Sequence, residues 1–210
     1  MIHTSRRNLM LGVAAISIAA FAPAALAETA KIDLSDLMTA PAEGEMTVGP
    51  DTAKVTIVEY LSASCPHCAA FYTDVFVQFK KDYIDAGKVK FIVREFPHND
   101  QAMGAFMLAR CSPKEKYFPL LDIYFTTQQK WVPDAYNQLK AIAQQTGMSA
   151  DDFDKCLKNV DVAKGIMAVR DKAEKSYGVT GIPTIFINGK LWDGERTIDA
   201  LKKYVDPLLA

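Results

Sequence analysis

Two cysteines separated by two residues, Cys65 and Cys68 in the stretch SCPHC, are the side chains of this sequence best suited to chemistry. A pair at this spacing can form and break a disulfide, with one sulfur acting as the attacking thiolate. It can also supply half of a zinc site, or pack as two small apolar side chains. Pro66 and His67 lie between the cysteines, and a histidine there can donate a hydrogen bond or positive charge to the Cys65 sulfur.

A structural zinc site needs four ligands, and the sequence offers few besides the pair itself. His67 lies inside the motif, His98 stands alone, and Cys111 and Cys156 are single cysteines that do not form a second C-x-x-C. The spacing therefore favours redox chemistry over metal binding. We expect no metal and no organic cofactor.

The residues around the pair predict a strand followed by a helix. The stretch KVTIVEYLS before the motif is rich in Val, Ile and Tyr, and apolar side chains over residues 71–79 recur at helical spacing. We expect Ser64 to cap the helix and Cys65 to be its first residue. Pro66 then lies in the first turn, where a missing N–H has no cost.

The start of a helix changes the chemistry of a cysteine. Unpaired backbone amides and the helix dipole favour a thiolate over a thiol at Cys65. Cys68 returns to the same helix face one turn deeper. The pattern therefore predicts an exposed, activated Cys65 and a shielded Cys68. A disulfide whose reduced form is stabilised in this way is an oxidant.

Two segments of the chain together resemble the DsbA-like thiol-disulfide oxidoreductases, which have a thioredoxin fold. These segments are VEYLSASCPHC and, at residues 178–190, GVTGIPTIFINGK. The resemblance implies that Pro183 is a cis proline lying against the cysteine pair. It also implies that the backbone of Ile182 pairs with substrate peptide. The likeness covers roughly residues 48–210.

The same resemblance gives Glu59 a role in proton transfer. In this family an acidic residue six positions before the first cysteine lies beneath the site and helps to move protons for the inner cysteine. Glu59 shares a strand face with Val55 and Ile57, so in a covered strand it would be buried. A carboxylate at an exposed strand end is the alternative. Lys90 and Arg94 are candidates for its basic partner.

The expected fold class is α/β, with a thioredoxin-like mixed sheet and an inserted helical block at about residues 100–177. The stretch VKFIVREFP predicts a second strand, and TIFINGKLW predicts a strand, an Asn-Gly turn and another strand. Helical patterns extend over residues 101–129, 135–146, 150–157, 162–177 and 199–209. Some other α/β domain with a coincidental C-x-x-C is the alternative.

The first 27 residues have the pattern of a secretory signal peptide. Arg6 and Arg7 form a basic front, an apolar run follows, and an Ala-Leu-Ala sequence ends it at Ala27. We expect cleavage after Ala27, a lead-in over residues 28–47, and a soluble domain over residues 48–210 in the periplasm. An uncleaved anchor is the alternative, and the paired arginines leave Sec and twin-arginine export both open.

Cys111 and Cys156 resemble an extra cysteine pair that some DsbA-like proteins carry in the helical region. Both stand in helical patterns, away from helix starts that would activate a thiol, and their apolar neighbours indicate that they face the interior of the block. The resemblance permits a second, non-catalytic disulfide between them. Two buried free thiols are the alternative.

These observations predict a periplasmic thiol oxidase that introduces disulfides into reduced, exported proteins. The resemblance implies reoxidation by a DsbB-type membrane partner, and we expect a monomer. With 24 Lys and Arg against 25 Asp and Glu and no long run of either sign, no surface for nucleic acid is indicated.

Two alternatives to the oxidase remain. The close one is a disulfide isomerase or reductase of the same fold, although known isomerases of this kind carry an N-terminal dimerisation domain, for which residues 28–64 leave little room. The other, from a different class, is a non-catalytic surface or binding protein on a thioredoxin scaffold. The intact Cys65, Cys68 and Pro183 argue against it.

Overall fold

The computed structural model of the chain describes residues 36–210. The predicted signal peptide, residues 1–27, and the first part of the predicted lead-in lie outside the described residues. Across residues 36–210, no helix combines the length and the apolar character needed to cross a bilayer.

A mixed sheet of five strands forms the centre of the described part of the chain. The strands are β1 (Met46–Val48), β2 (Val55–Leu61), β3 (Val89–Glu95), β4 (Thr184–Ile187) and β5 (Lys190–Trp192). They lie in the order β1-β3-β2-β4-β5, with β2 and β3 parallel and the other neighbours antiparallel. The predicted mixed sheet is confirmed, including the turn between β4 and β5, where Asn188 and Gly189 both have positive φ.

Helices cover both faces of the sheet and form the inserted block. After β2 the chain forms one helical run, from α1 (Pro66–Phe71) through α2 (Val77–Phe79), with π-helical stretches at Tyr72–Phe76 and Lys80–Ile84. Further along the described chain lie α3 (Asp100–Cys111), α4 (Tyr117–Thr126), α5 (Gln128–Trp131), α6 (Ala135–Gln145), α7 (Ala150–Leu157), α8 (Val160–Tyr177) and α9 (Ile198–Leu209).

Strand β2 is buried on both faces. Ile57 and Leu61 belong to the larger apolar core, which the sheet shares with the helical block. Val58 and Tyr60 belong to a smaller core against α8. This double burial explains why the strand reads as a nearly continuous apolar run. Glu59 is the charged residue in this run; it is buried like its neighbours and lies on the same face as Ile57.

The predicted helix over residues 101–129 is wrong as a single element. Helix α3 ends at Cys111, and Ser112 has an extended backbone, with φ −78° and ψ 159°. Pro113 follows, and a residue before proline is pushed out of the helical region because the proline ring clashes with its backbone. The chain returns to helix in α4. The predicted helices over residues 135–146, 150–157 and 162–177 are confirmed as α6, α7 and α8.

Part of the predicted lead-in, residues 28–47, packs into the domain. Leu37 is fully buried in the smaller core, and β1 begins at Met46 and pairs with β3. Arg94 of β3 holds this segment, since its guanidinium pairs with Glu45 at 2.7 Å and donates to the Leu37 carbonyl at 3.2 Å. A strand as short as β1 carries little signal of its own, because its pairing partner lies far along the sequence.

A disulfide joins Cys111, at the end of α3, to Cys156 in α7, with the Cα atoms 6.1 Å apart. The chain between them contains α4, α5 and α6, so the bond closes a large part of the helical block. Cys156 is buried and Cys111 is exposed. Only one of the two cysteines therefore faces the interior, where both were expected.

Removal of this bond should destabilise the protein. We expect the double variant C111A/C156A to lose about 4 kcal/mol of unfolding free energy, because the unfolded chain gains the entropy of an open loop. Urea unfolding of wild type and variant without reductant measures the difference. The free energies of unfolding of the two proteins should become similar when reductant is added. Equal free energies without reductant would contradict the prediction.

Candidate active site

The cysteine pair lies where β2 passes into α1. Pro66 is the first helical residue and Cys65 is the N-cap, with an extended backbone of φ −82° and ψ 121°. The predicted cap at Ser64 and the predicted helix start at Cys65 are therefore each one residue early. Proline fits the first helical position because its φ is preset and its missing N–H is not needed. The Ser64 hydroxyl donates instead to Oδ1 of Asn99, at 2.8 Å.

The reduced Cys65 sulfur is stabilised as a thiolate. The largest cause is a hydrogen bond from the Cys68 thiol; partial burial opposes it, and the backbone N–H groups of Cys68 and His67 add further hydrogen bonds. A positive charge at His98 also favours the thiolate. Together these groups lower the pKa of Cys65 to about 5. The reactive thiolate therefore dominates at neutral pH.

Cys68 has the opposite environment. It is 1% exposed, against 7% for Cys65. Burial, the hydrogen bond to Cys65 and the charge of Glu59 raise the pKa of Cys68 well above its usual range. One helical turn therefore separates a sulfur held as a thiolate from a sulfur held as a thiol. Cys65 is itself less exposed than expected, since the Ile182 carbonyl lies 3.9 Å from its sulfur.

The loop before β4 lies against the cysteine pair. The peptide bond between Ile182 and Pro183 is cis. The Cys65 thiol faces the Ile182 carbonyl oxygen, with the sulfur and oxygen 3.9 Å apart. Both loop residues are half-buried, so their backbone forms one edge of the site. Their part in substrate binding stays a prediction.

Glu59 lies beneath the site in β2 and is 3% exposed. Burial raises the pKa of Glu59 to about 8, and the positive charge of Arg196 acts in the opposite direction. The negative charge of the Glu59 carboxylate in turn contributes to the raised pKa of Cys68. A carboxyl with a pKa near neutral pH can both give and take a proton.

The basic neighbour of Glu59 comes from an unexpected segment. Lys90 and Arg94, the candidates named from the sequence, each form an ion pair with another carboxylate. Arg196, between β5 and α9, is the positive charge that acts on Glu59. No sequence signal marks Arg196, because only the fold brings it near β2.

Two histidines lie near the pair and act differently. His67 is exposed and stabilises Cys65 through its backbone N–H, while the contribution of its imidazole stays a prediction. His98, which follows β3, lies with Nδ1 2.7 Å from the Ser62 hydroxyl and Nε2 3.1 Å from Nδ2 of Asn99. The sequence indicated His98 only as a single histidine without zinc partners, and its place beside the active-site loop was missed.

The arrangement of the site suits thiol–disulfide exchange. Two sulfurs one helical turn apart can join in a disulfide, and the outer one is the better nucleophile and leaving group because it is stable as a thiolate. Within residues 36–210, no cluster of three or more His, Cys, Asp or Glu side chains is arranged to hold a metal ion.

The described domain matches a known family over nearly its whole length. Residues 41–207 fit the model of the family described as Thioredoxin. The chain belongs to the thioredoxin family. The match includes the cysteine pair, the Pro183 loop and β1, which agrees with the packing of β1 into the sheet.

Relatives in this family are named for disulfide chemistry. A Rickettsia conorii protein, provisionally named a protein-disulfide oxidoreductase, is 34% identical over 170 residues, which are 80% of this chain and 61% of that protein. The disulfide bond formation protein D of Bacillus subtilis is 27% identical over 173 residues, covering 78% of this chain and 77% of that protein. This chain spans about three fifths of the length of the rickettsial relatives it matches.

Solved structures show the same fold. Alpha-DsbA1 of Wolbachia pipientis has a TM-score of 0.75 and 26% identity, covering 83% of this chain and 96% of that one. Oxidised BdbD of Bacillus subtilis has a TM-score of 0.70 and 25% identity, covering 81% and 96%. A protein-disulfide isomerase from Novosphingobium aromaticivorans has a TM-score of 0.72 and 25% identity, covering 79% and 97%. The predicted DsbA-like fold is confirmed.

The titration of Cys65 should show the hydrogen bond from Cys68. In reduced wild-type protein, we expect thiolate absorbance in the ultraviolet to appear with a midpoint near pH 5. The variant C68A should raise this midpoint, because it removes the thiol that donates to the Cys65 sulfur. The variant C68S keeps a hydroxyl donor and should stay closer to the wild type. A midpoint in C68A equal to that of the wild type would contradict the assignment.

Glu59 should make the stability of the reduced protein fall with rising pH. Its folded pKa of about 8 lies above the ordinary value of 4.5, so its contribution is present at low pH and is lost as pH rises toward 8. We expect E59Q to remove this loss. Its free energy of unfolding, relative to that of the wild type, should therefore rise by up to about 4 kcal/mol from pH 5 to pH 8. Urea unfolding at both pH values measures the gain. A difference between the two proteins that does not change with pH would show that Glu59 does not titrate in this range.

Proposed function

We propose that this protein is a thiol oxidase that introduces disulfides into other proteins by exchange at Cys65 and Cys68. The observation that carries the proposal is the environment of Cys65, whose thiolate accepts hydrogen bonds at the start of α1 and has a pKa of about 5. A stabilised thiolate favours the reduced form of the pair, so the pair readily passes its disulfide on. Relatives named for disulfide bond formation support the same chemistry.

In the proposed reaction, a substrate thiolate attacks the Cys65 sulfur of the oxidised pair. A bond forms between the substrate sulfur and Cys65, the bond between Cys65 and Cys68 breaks, and the Cys68 sulfur keeps the electron pair and takes up a proton. A second substrate thiolate then attacks the first substrate sulfur, and Cys65 leaves as its stabilised thiolate. The substrate is oxidised by two electrons and the pair is reduced by two.

Glu59 is the proposed proton carrier for Cys68. A charged sulfur is costly at the buried Cys68 position, so its proton has to arrive and leave together with the change in bonding. Glu59 lies beneath the pair and its charge acts on Cys68. With a pKa of about 8, it can give the proton when Cys68 is released and take it when Cys68 attacks.

Ile182 and Pro183 form the proposed binding edge for substrate. An extended peptide paired with the Ile182 backbone would bring its own cysteine close to the Cys65 sulfur, which lies 3.9 Å from the Ile182 carbonyl. Pro66 is the first residue of α1 and so fixes where the helix begins, directly after Cys65. The imidazole of His67, exposed beside the pair, is a further proposed source of positive charge for the thiolate.

The proposed location is the periplasm. The signal-peptide pattern over residues 1–27 supports it, and so does the disulfide between Cys111 and Cys156, since such bonds are rare in the cytosol. The proposed substrates are reduced, exported proteins. A DsbB-type membrane protein is the proposed reoxidant, and a monomer is the proposed state.

A disulfide isomerase is the second candidate. One comparison favours it, because the solved Novosphingobium protein is named a protein-disulfide isomerase. A low pKa of Cys65 serves both roles, since an isomerase uses the same thiolate to attack a wrong substrate disulfide. The two roles differ in the redox state that the pair must hold, which is set by its reduction potential.

Equilibration of residues 28–210 with reduced and oxidised glutathione tests the oxidase proposal. We expect a reduction potential well above about −270 mV, the value of thioredoxin. The oxidised protein should also form disulfides in reduced, unfolded ribonuclease, and the C65A variant should not. A potential as low as that of thioredoxin would assign the protein to the reductases. Faster repair of scrambled ribonuclease than oxidation of reduced ribonuclease would favour the isomerase.

A further inference from the structure

Gln128 is a buried polar side chain of the helical block that contacts the active-site loop. It is the first residue of α5 and is 7% exposed. Its Nε2 group donates to the Ala63 carbonyl at 2.8 Å and to the Cys65 carbonyl at 3.1 Å. Both hydrogens of the amide are therefore used on the backbone that leads into the cysteine pair.

The helix that carries Gln128 is firmly held. Trp131, in the same helix, is fully buried, and its Nε1 donates to the Tyr124 carbonyl at 2.7 Å. Thr127, just before Gln128, donates its hydroxyl to the Ile123 carbonyl at 2.6 Å. These bonds fix α5 against α4. Because α5 is fixed, the Gln128 amide is also fixed and can hold the backbone carbonyl groups that it contacts in place.

The Cys65 carbonyl is a sensitive point of the site. It also accepts the first hydrogen bond of α1, from the Ala69 N–H at 3.0 Å. Because Cys65 is the N-cap, the direction of its backbone decides how its sulfur meets the N–H groups of His67 and Cys68. Hydrogen bonds prefer angles above about 150° and weaken steeply below about 120°. A rotation of the Cys65 backbone that bends these hydrogen bonds toward the lower angle would therefore weaken them.

We propose that Gln128 is a positioning residue for the redox reaction, which holds the Cys65 backbone so that the reduced sulfur meets the amides of α1. The inference rests on the proposed exchange chemistry of the pair. It extends that chemistry to the helical block, because the block then supplies part of the geometry that stabilises the thiolate.

The contribution of Gln128 differs between the two redox states. In the oxidised protein, the bond to Cys68 fixes the position of the Cys65 sulfur through covalent geometry. In the reduced protein, the sulfur is positioned only by its backbone and its hydrogen bonds. Loss of the Gln128 amide should therefore weaken the reduced form more than the oxidised form. The disulfide then becomes harder to reduce.

The variant Q128M tests the proposal, since it removes both donors and keeps the length of the side chain. Its neighbour Gln129 is exposed, so Q129M is the matched control. We expect Q128M to raise the pKa of Cys65 and to lower the equilibrium constant for reduction by glutathione roughly fivefold, the net effect of about one buried hydrogen bond. Q129M should match the wild type in both measurements.

Urea unfolding of both redox forms separates positioning from general support of the fold. The reduced form of Q128M should lose more stability than its oxidised form, and the difference between the two losses should be the free energy that corresponds to the fold-change in the glutathione equilibrium. Equal losses in the two forms, with an unchanged glutathione equilibrium and an unchanged pKa of Cys65, would overturn the proposal. If Q128M does not fold, Q128N keeps the amide at a shorter reach, and the same shifts are expected and the same outcome would overturn it.

The test of Gln128 and the test of the oxidase proposal fail independently. The Gln128 measurements compare variants of one protein, so they hold whatever the wild-type potential is. A reducing wild-type potential would overturn the oxidase and leave the Gln128 inference standing. Unshifted values in Q128M would overturn the Gln128 inference and leave the oxidase standing.

Discussion

The unpaired backbone amides at the start of α1 are the constraint on which the site depends. These N–H groups have no acceptor within the helix, and the Cys65 sulfur accepts from two of them. The Cys68 thiol donates a further hydrogen bond to this sulfur, which is the largest contribution to the low pKa of Cys65. Negative charge is therefore stable at Cys65 and is costly one turn deeper, where Cys68 is buried in the larger core. The same burial raises the pKa of Glu59 to about 8 and so favours its neutral form. The reduced site therefore favours negative charge at Cys65 over negative charge at Cys68 or Glu59.

Most of the fold was predictable because its signals are local. The apolar runs of β2 and β3, the turn at Asn188 and the periodic patterns of α6, α7 and α8 each lie within one short stretch. The break at Pro113 was also visible as a Ser-Pro pair, but the helical periodicity on both sides of it outweighed that signal. Strand β1 could not be found in this way, because three residues become a strand only through their pairing with β3.

The chemistry of the cysteine pair was predictable for the same reason, since a helix start acts on residues that are close in sequence. The cap was misplaced by one residue although Pro66, a residue typical of the first helical position, indicates Cys65 as the cap. The neighbours that tune the site come from distant segments. His98 follows β3, Arg196 follows β5 and Gln128 begins α5. Only the packing of the helical block and the sheet brings these three residues to the pair.

The segment before β1 decides where the domain can be shortened. The family match begins at residue 41, which makes that point an obvious first residue for a trimmed protein. Such a chain would remove Leu37 from the smaller core and would also remove the carbonyl groups of Leu37 and Thr39 from the Arg94 guanidinium, which is 3% exposed. Arg94 would keep its ion pair with Glu45, but a buried charged donor that loses two hydrogen-bond acceptors is costly. The packed domain therefore begins before residue 41, where the family match begins.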